Sequence, residues 1–351
     1  MNQSRSICLS LFLSFAAAFG FAQQSAAPAA PTPGAQEGRN HLDVMVNDKT
    51  GKPISGLEQK DFTLLDNGKP ANIVSFHAVD SLADSSAERV QAILVLDAAN
   101  LDFSTIARER EEIDKFLRSN DGKLPIRVSI ILASDAGLKV IVQPSTDGNA
   151  VAAQLDQADS ELHSLTRASG RIADYERLEL SVRLLYSLVT PMKDRPGRKL
   201  LFWIGDGWPL LDSPGFTQSA KGEQQLFEEI VQVSTVLREG RFSLYSVSEG
   251  FSGPRTALYE GFLKGVKSSK QANPGNLSVR VFAAQSGGRV MAPSNDLASE
   301  FSKCFEDAAA YYTLSFDPPH SEKPDEYHDL KVQIAKPGLT ARTNTGYYDQ
   351  P

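Results

Sequence analysis

Apolar residues are arranged in two different ways along the chain. Near both ends they alternate with polar residues, as in HLDVMV (41–46), and this alternation predicts half-buried strands. In the middle they form continuous runs, as in VQAILVLD (90–97), which are typical of parallel strands covered on both faces. The pattern predicts two small β segments, at 39–82 and 311–351, that flank a larger block at 88–310.

Between the continuous strands, apolar residues recur three and four positions apart. The clearest helix is predicted by the series Tyr175, Leu178, Val182, Leu185 and Val189. Strands that alternate with helices predict an α/β fold, a doubly wound and mostly parallel sheet. Each flanking β segment has too few strands to be stable by itself. We therefore expect the two segments to form one small β-sandwich, with the α/β domain inserted between them.

The first 22 residues have the pattern of an export signal. Arg5 precedes the apolar run ICLSLFLSFAAAFGFA (7–22), which ends at small residues. We expect cleavage after Ala22, followed by an Ala/Pro-rich disordered linker at 23–38. A membrane anchor is the alternative, although the run is shorter than the roughly 20 residues of a typical span. The predicted location is the periplasm, the outer envelope or the extracellular space, with no transmembrane segment after cleavage.

Composition and charge narrow the possible partners. The chain has 351 residues, of which 41% are hydrophobic and 23% charged, with a formal net charge of -7. This balance predicts a globular protein and argues against nucleic acid or an anionic membrane as the main partner. Removal of Cys8 with the signal leaves Cys304 alone, so we expect no internal disulfide and a buried, unreactive thiol.

The sequence offers little support for catalysis. Its five histidines lack the His-Glu-x-x-His spacing of metalloproteases, and no phosphate-binding loop or dinucleotide fingerprint follows a strand. The stretch EGFSGP around Ser252 is similar to a nucleophile loop but lacks the full strand–Gly-x-Ser-x-Gly–helix setting. We predict that the protein is not an enzyme, and we keep a serine hydrolase that uses Ser252 as an alternative.

Two long motifs point to a known family. The first runs from Val44 to Phe76 and contains GKPISGLEQKDFTLLDNGKPANIVSF, and the second runs from Tyr311 to Tyr348, beginning with YYTLSFDPP and ending with GYY. Together they resemble the VWFA-related family described from acidobacteria, and the α/β block resembles a von Willebrand factor type A domain. The resemblance implies an export signal, a β segment, a type A domain and a β tail, which is the order of segments in this chain.

Type A domains are known for a metal-ion-dependent adhesion site, and the resemblance places its two aspartates at Asp97 and Asp206. The two hydroxyl positions of that site are Ala99 and Leu101 here, which cannot bind a cation, and the position of its threonine falls near Arg171. Mg²⁺ or another divalent cation prefers oxygen ligands, and replacement oxygens are available from Asn100, Asp102 and Ser104. The alternative is that Asp97 and Asp206 only accept hydrogen bonds from loop N–H groups.

A partner-binding surface is predicted beside this degenerate site. The loop at 205–216 concentrates large apolar residues, which are Trp208, Leu210, Leu211 and Phe216. Exposed residues of this kind are good binding anchors; alternatively, they fold back as a lid on the sheet edge. We predict an exported, non-catalytic protein-binding protein for adhesion or envelope scaffolding, with metal optional. A structural envelope-assembly component that binds through its β-sandwich is the alternative, and the oligomeric state stays open.

Overall fold

The structure of the protein is a computed structural model. It describes residues 39–80, 90–101, 103–158, 171–205, 207–209, 219–248, 258–292, 294, 296–321 and 323–349. The predicted signal and linker at 1–38 lie outside these residues. None of the helices in the described ranges combines the length and the apolar composition that crossing a bilayer requires.

A six-stranded sheet forms the centre of the molecule. Its strands, in spatial order, are β10 (Arg289–Val290), β9 (Phe242–Val247), β8 (Lys199–Ile204), β5 (Gln91–Asp97), β6 (Lys123–Ser134) and β7 (Gly137–Asp147). All neighbours pair in parallel except β6 and β7, which form an antiparallel hairpin. The prediction of a mixed α/β fold with a largely parallel sheet is confirmed.

Helices cover both faces of this sheet because successive side chains of a strand point to opposite faces. Ala92, Leu94 and Leu96 of β5 join one buried apolar cluster, whereas Ile93 and Val95 join the other. The first cluster includes residues of α1 (Phe103–Arg118), α2 (Gly148–Gln157) and α6 (Leu297–Phe305). The second includes residues of α3 (Arg171–Val189), α4 (Ala220–Glu239) and α5 (Val279–Gln285).

The strands from the two ends of the chain pair with each other. One antiparallel sheet has the order β13 (Thr340–Arg342), β1 (Asn40–Asn47), β11 (Ala310–Phe316) and β4 (Ile73–Asp80). The other has the order β14 (Gly346–Asp349), β12 (Glu326–Ile334), β2 (Phe62–Asp66) and β3 (Lys69–Ala71). Both sheets contribute to a third apolar cluster, to which Val44, Leu64, Leu314 and Val332 belong.

A buried ionic cluster joins this β region to the α/β region. The side chain of Asp307, which is 1% exposed, accepts hydrogen bonds from Arg289 of β10 (2.8 Å), Arg342 of β13 (2.6 Å) and the Tyr245 hydroxyl of β9 (2.8 Å). Burial acts to raise the pKa of Asp307, but the charges and hydrogen bonds of Arg342 and Arg289 outweigh it, and the pKa is lowered. Asp307 is therefore held as a carboxylate between three chain segments.

Candidate functional site

Asp97 is the last residue of β5, at the point of the central sheet where the strand order changes direction. β5 lies between β8 and β6, so the chain leaves it toward one side of the sheet and later returns on the other. Open α/β sheets bind ligands at such a point, outside the carboxyl ends of their strands. The fold thus puts Asp97 where a ligand site of this architecture is expected.

The carboxylate of Asp97 is fully buried and already hydrogen-bonded. Its Oδ2 accepts the indole N–H of Trp203, at 2.7 Å, and its Oδ1 accepts the backbone N–H of Asn100, at 3.1 Å. The side-chain amide of Asn100 donates to both oxygens, at 3.1 Å and 2.9 Å. N–H donors therefore occupy both oxygens, which is the arrangement of a structural acceptor.

The amide nitrogen of Asn100 lies among three oxygens. Besides the two carboxylate oxygens of Asp97, it contacts the hydroxyl oxygen of Ser181 of α3 at 2.9 Å. That hydroxyl itself donates to the backbone carbonyl of Arg177, at 2.8 Å, so its orientation is fixed. Three converging oxygens form the kind of environment that a small cation uses, but here an NH₂ group fills it. A cation could enter only if Asn100 moved away.

The neighbouring positions are apolar and packed. Ala99 is 1% exposed and Leu101 is 4% exposed, and they belong to the two clusters on opposite faces of the central sheet. Gly205, after β8, lies so close that a Cβ on it would be 3.1 Å from the Cβ of Asp97. This close packing leaves little room beside the carboxylate, and only glycine fits at position 205 without a shift of its neighbour.

The described part of the predicted metal site does not fit a cation. The amide nitrogen of Asn100 faces Asp97, so only its Oδ1 could serve as a ligand; that oxygen is buried and has no hydrogen-bond partner among the described residues. Ser104 is an exposed residue in the first turn of α1. Within the described ranges, no three His, Cys, Asp or Glu side chains form a group that could hold a metal ion. Asp102 and Asp206 lie outside those ranges, so a cation bound by the complete set stays a prediction.

Trp208 has the buried position of the fold-back alternative. Its side chain is 5% exposed and packs at right angles to Trp203, with ring centroids 5.2 Å apart, and next to Phe282 of α5 at 6.4 Å. In this conformation the indole is part of the core. It is therefore not presented to a partner, in contrast to the predicted role of Trp208 as an exposed anchor. Leu210, Leu211 and Phe216 lie outside the described residues, and their role as anchors stays a prediction.

Two side chains of the Asp97 cluster, Trp203 and Ser181, were not predicted from the sequence. Trp203 reads as one more apolar residue of a buried strand, and Ser181 as a small residue of a helix. A signal for Trp203 was present, since a buried indole N–H needs an acceptor and Asp97 ends the adjacent strand. Ser181 carried no such signal, because its position depends on the packing of α3 against the sheet.

The comparisons with known proteins show no family. No family profile and no curated protein matches the chain. Similar solved structures include human COPII-coat protein Sec24c (11% identity, 78% of this chain, 46% of that chain, TM-score 0.31). A second is BatB from Bacteroides thetaiotaomicron (14% identity, 63% of this chain, 99% of that chain, TM-score 0.33). A third is the PilB minor pilin from Streptococcus sanguinis (11% identity, 64% of this chain, 63% of that chain, TM-score 0.37). The chain thus spans about half of Sec24c, and all three TM-scores are below 0.5, too low to support an inference about function.

Proposed function

We propose that the protein is an exported protein-binding protein, for adhesion or envelope scaffolding, whose α/β domain binds its partner without metal and without catalysis. The observation that carries the proposal is the position of the Asn100 amide among the oxygens of Asp97 and Ser181. These hydrogen bonds hold the loop after β5 in place, as a bound cation would otherwise do. The resemblance to type A domain proteins supports the loop face as the binding surface.

The buried contacts between the α/β and β regions support a scaffold role. Asp307 links β9, β10 and β13, and Arg241 after α4 binds Asp43 of β1 through two nitrogen–oxygen contacts of 3.1 and 2.7 Å. Breaking a buried ion pair by removing one partner costs about 3–5 kcal/mol. The two regions therefore resist separation, and a partner bound to one is held at a fixed orientation to the other.

A second candidate is binding through the β region, and the edge strand β4 favours it. β4 has eight residues and, in the described part of the chain, pairs only with β11. It contains no Pro or Lys, which commonly protect an edge, and Val74 is 36% exposed; the pairing with β11 is irregular only at the start of the strand, between Ile73 and Ser75. An extended segment of a protein partner would add to this edge as a further antiparallel strand.

Cross-linking of the full-length protein in its native envelope, with and without a chelator, tests both candidates. Metal-independent binding predicts the same cross-linked partners in both conditions; their loss in chelator would contradict it. Leu211→Asp should then abolish cross-linking if the loop face binds, whereas Val74→Lys should abolish it if β4 binds. Val140→Lys, at a residue 51% exposed on the edge strand β7, is the matched control and should have no effect.

A further inference from the structure

A second cluster of polar side chains is buried in the β region. The imidazole of His328 lies between Asp66 and Ser321: its Nδ1 is 2.8 Å from Oδ1 of Asp66, and its Nε2 is 3.3 Å from Oγ of Ser321. His328 and Ser321 are each 4% exposed, and Asp66 is 6% exposed. A serine, a histidine and an aspartate thus form one continuous hydrogen-bonded chain.

The fold brings these three residues together from distant positions. Asp66 ends β2 and is followed by the Asn67-Gly68 turn, which is fixed by reciprocal bonds between Asn67 and Asp329 (2.8 and 3.0 Å). β12 carries His328 beside this turn, because Leu330 pairs with Asp66 in the antiparallel register. Ser321 lies between β11 and β12. The histidine is thus held on a paired strand rather than on a loop.

Two groups approach Nδ1 of His328: Oδ1 of Asp66 at 2.8 Å and the amide nitrogen of Asn67 at 3.4 Å. Because a carboxylate can only accept and lies nearer, we assign the proton of the neutral imidazole to Nδ1, which leaves a free electron pair on Nε2. Nε2 then accepts the hydroxyl proton of Ser321. This is the order of roles that activates a serine nucleophile: a base within reach of the hydroxyl, itself oriented by a third group.

Tyr347 supports the carboxylate and the ring. Its hydroxyl donates to Oδ2 of Asp66 at 2.7 Å, and its ring stacks on His328 with centroids 4.8 Å apart. Burial, together with the hydrogen bond and charge of Asp66, raises the pKa of Tyr347 far above its ordinary value, so the hydroxyl stays a donor. Asp66 is therefore held so that Oδ1 faces His328.

We propose that Ser321 is an activated nucleophile that accepts acyl groups from small esters, with His328 as its general base and Asp66 as the residue that orients it. Oγ of Ser321 bonds to the ester carbonyl carbon while its proton passes to Nε2 of His328. The bond to the leaving alcohol oxygen then breaks, and that oxygen takes the proton from Nε2. Water completes the cycle by the reverse proton transfers, releasing the acid and restoring Ser321.

The burial of the cluster limits the class of substrate. With Ser321 only 4% exposed, a bulky acyl group or a folded protein substrate would have to displace its neighbours, whereas an acetyl-sized group requires the least displacement. Small acyl esters are therefore the expected substrates. This activity goes beyond the proposed binding function and uses none of its residues.

The full-length protein should react with phenylmethanesulfonyl fluoride, and peptide mass spectrometry should place the label on Ser321. It should also release nitrophenol from 4-nitrophenyl acetate. Ser321→Ala should abolish labelling at this site and the associated release, and His328→Gln should slow both by about 100-fold, the usual contribution of a general base. The matched control is Ser315→Ala, since Ser315 is 2% exposed and bonds to Ser75 instead of a histidine.

Thermal unfolding of each variant separates chemistry from folding. If His328→Gln does not fold, Asp66→Asn serves as the second variant, because it keeps the side-chain size and removes the charge that orients the base. Absence of label on Ser321 in the folded wild-type protein would overturn the proposal, as would labelling that is equally fast in a folded His328→Gln or Asp66→Asn variant. Loss of envelope partners without loss of labelling would contradict only the binding proposal.

Discussion

Replacing Asn100 by aspartate should convert the metal-independent cluster into one that needs a cation. In the wild-type protein the amide nitrogen of Asn100 lies 2.9–3.1 Å from the two carboxylate oxygens of Asp97. Asn100→Asp has nearly the same shape but puts a second carboxylate in that place. Two carboxylates this close cannot both stay ionised without a counter-ion. The variant should therefore be less stable than the wild-type protein and be stabilised in part by Mg²⁺, Mn²⁺ or Ca²⁺.

The size of the effect follows from these distances. Hydrogen bonds to a charged group contribute about 1.5–3 kcal/mol each, and Asn100→Ala removes side-chain donors while Trp203 still binds Asp97. We expect Asn100→Ala to lower the free energy of unfolding by about 2–3 kcal/mol. In Asn100→Asp, repulsion between two unit charges about 3 Å apart adds about 5 kcal/mol to this destabilisation at an effective dielectric constant of about 20. Uptake of a proton by either carboxylate reduces this repulsion.

Thermal unfolding with and without divalent cations measures both quantities. A change of 1 kcal/mol corresponds to about 2 °C in a protein of this size, so Asn100→Ala should lower Tm by about 4–6 °C and show no response to cations. A cation concentration of about ten times Kd stabilises the folded state by about 1.4 kcal/mol. It should therefore raise the Tm of Asn100→Asp by about 3 °C. A cation-dependent rise of the same size in the wild-type protein would refute our interpretation of the site.

Three further predictions concern the packing that surrounds the site and the junction. Trp208→Ala should lower the free energy of unfolding by about 3–5 kcal/mol in chemical denaturation, as removal of a buried aromatic side chain does. Trp208→Phe should cost far less, because the indole N–H has no hydrogen-bond partner in the described part of the chain. Equal stability of the alanine variant would contradict the core position. Asp307→Asn should destabilise the protein by about 3 kcal/mol at pH 7: because the folded-state pKa of Asp307 is lowered, its stabilisation is present above the unfolded-state pKa and is lost as the pH falls through the folded-state value. The variant's Tm should therefore fall less than that of the wild type below about pH 4, and parallel acid profiles would exclude this role. Gly288→Ala should prevent stable folding, since its Cβ would lie 1.6 Å from the carbonyl oxygen of Leu244; a soluble variant with wild-type Tm would show that the backbone shifts there.

The α/β architecture could be predicted because its signals are local. Continuous apolar runs identified β5 and β8, and a spacing of three and four residues identified α3. The spacing of apolar residues depends on which faces of a helix or strand are buried, so the buried faces can be predicted from the sequence. The same holds for Cys304, whose predicted burial agrees with its 1% exposure.

The chemistry of the clusters could not be predicted, because it depends on contacts between distant segments. Asp97 was recognised from its position at the end of a strand, but the same position suits a cation ligand and an acceptor of N–H groups. Only the arrangement of Trp203, Asn100 and Ser181 favours one of these. The spacing of His328 from the other histidines along the chain gives no sign of its cluster, because its partners, Asp66 and Ser321, come from another strand and a loop.

The chain crosses between the β region and the α/β region twice, once after β4 and once before β11, and the junction fixes the orientation of the two regions. Apolar contacts alone would hold the two regions together in several related orientations, because the hydrophobic effect is non-directional. The two guanidinium groups around Asp307 require specific directions, and they come from β10 and β13, which belong to different sheets. Arg198 adds a further constraint: its side chain is fully buried, donates to the backbone carbonyl of Asp307 at 2.6 Å and lies over the ring of Tyr311. A rotation of one region against the other would leave these charges buried and unpaired, so the relative orientation is fixed by the cost of that state.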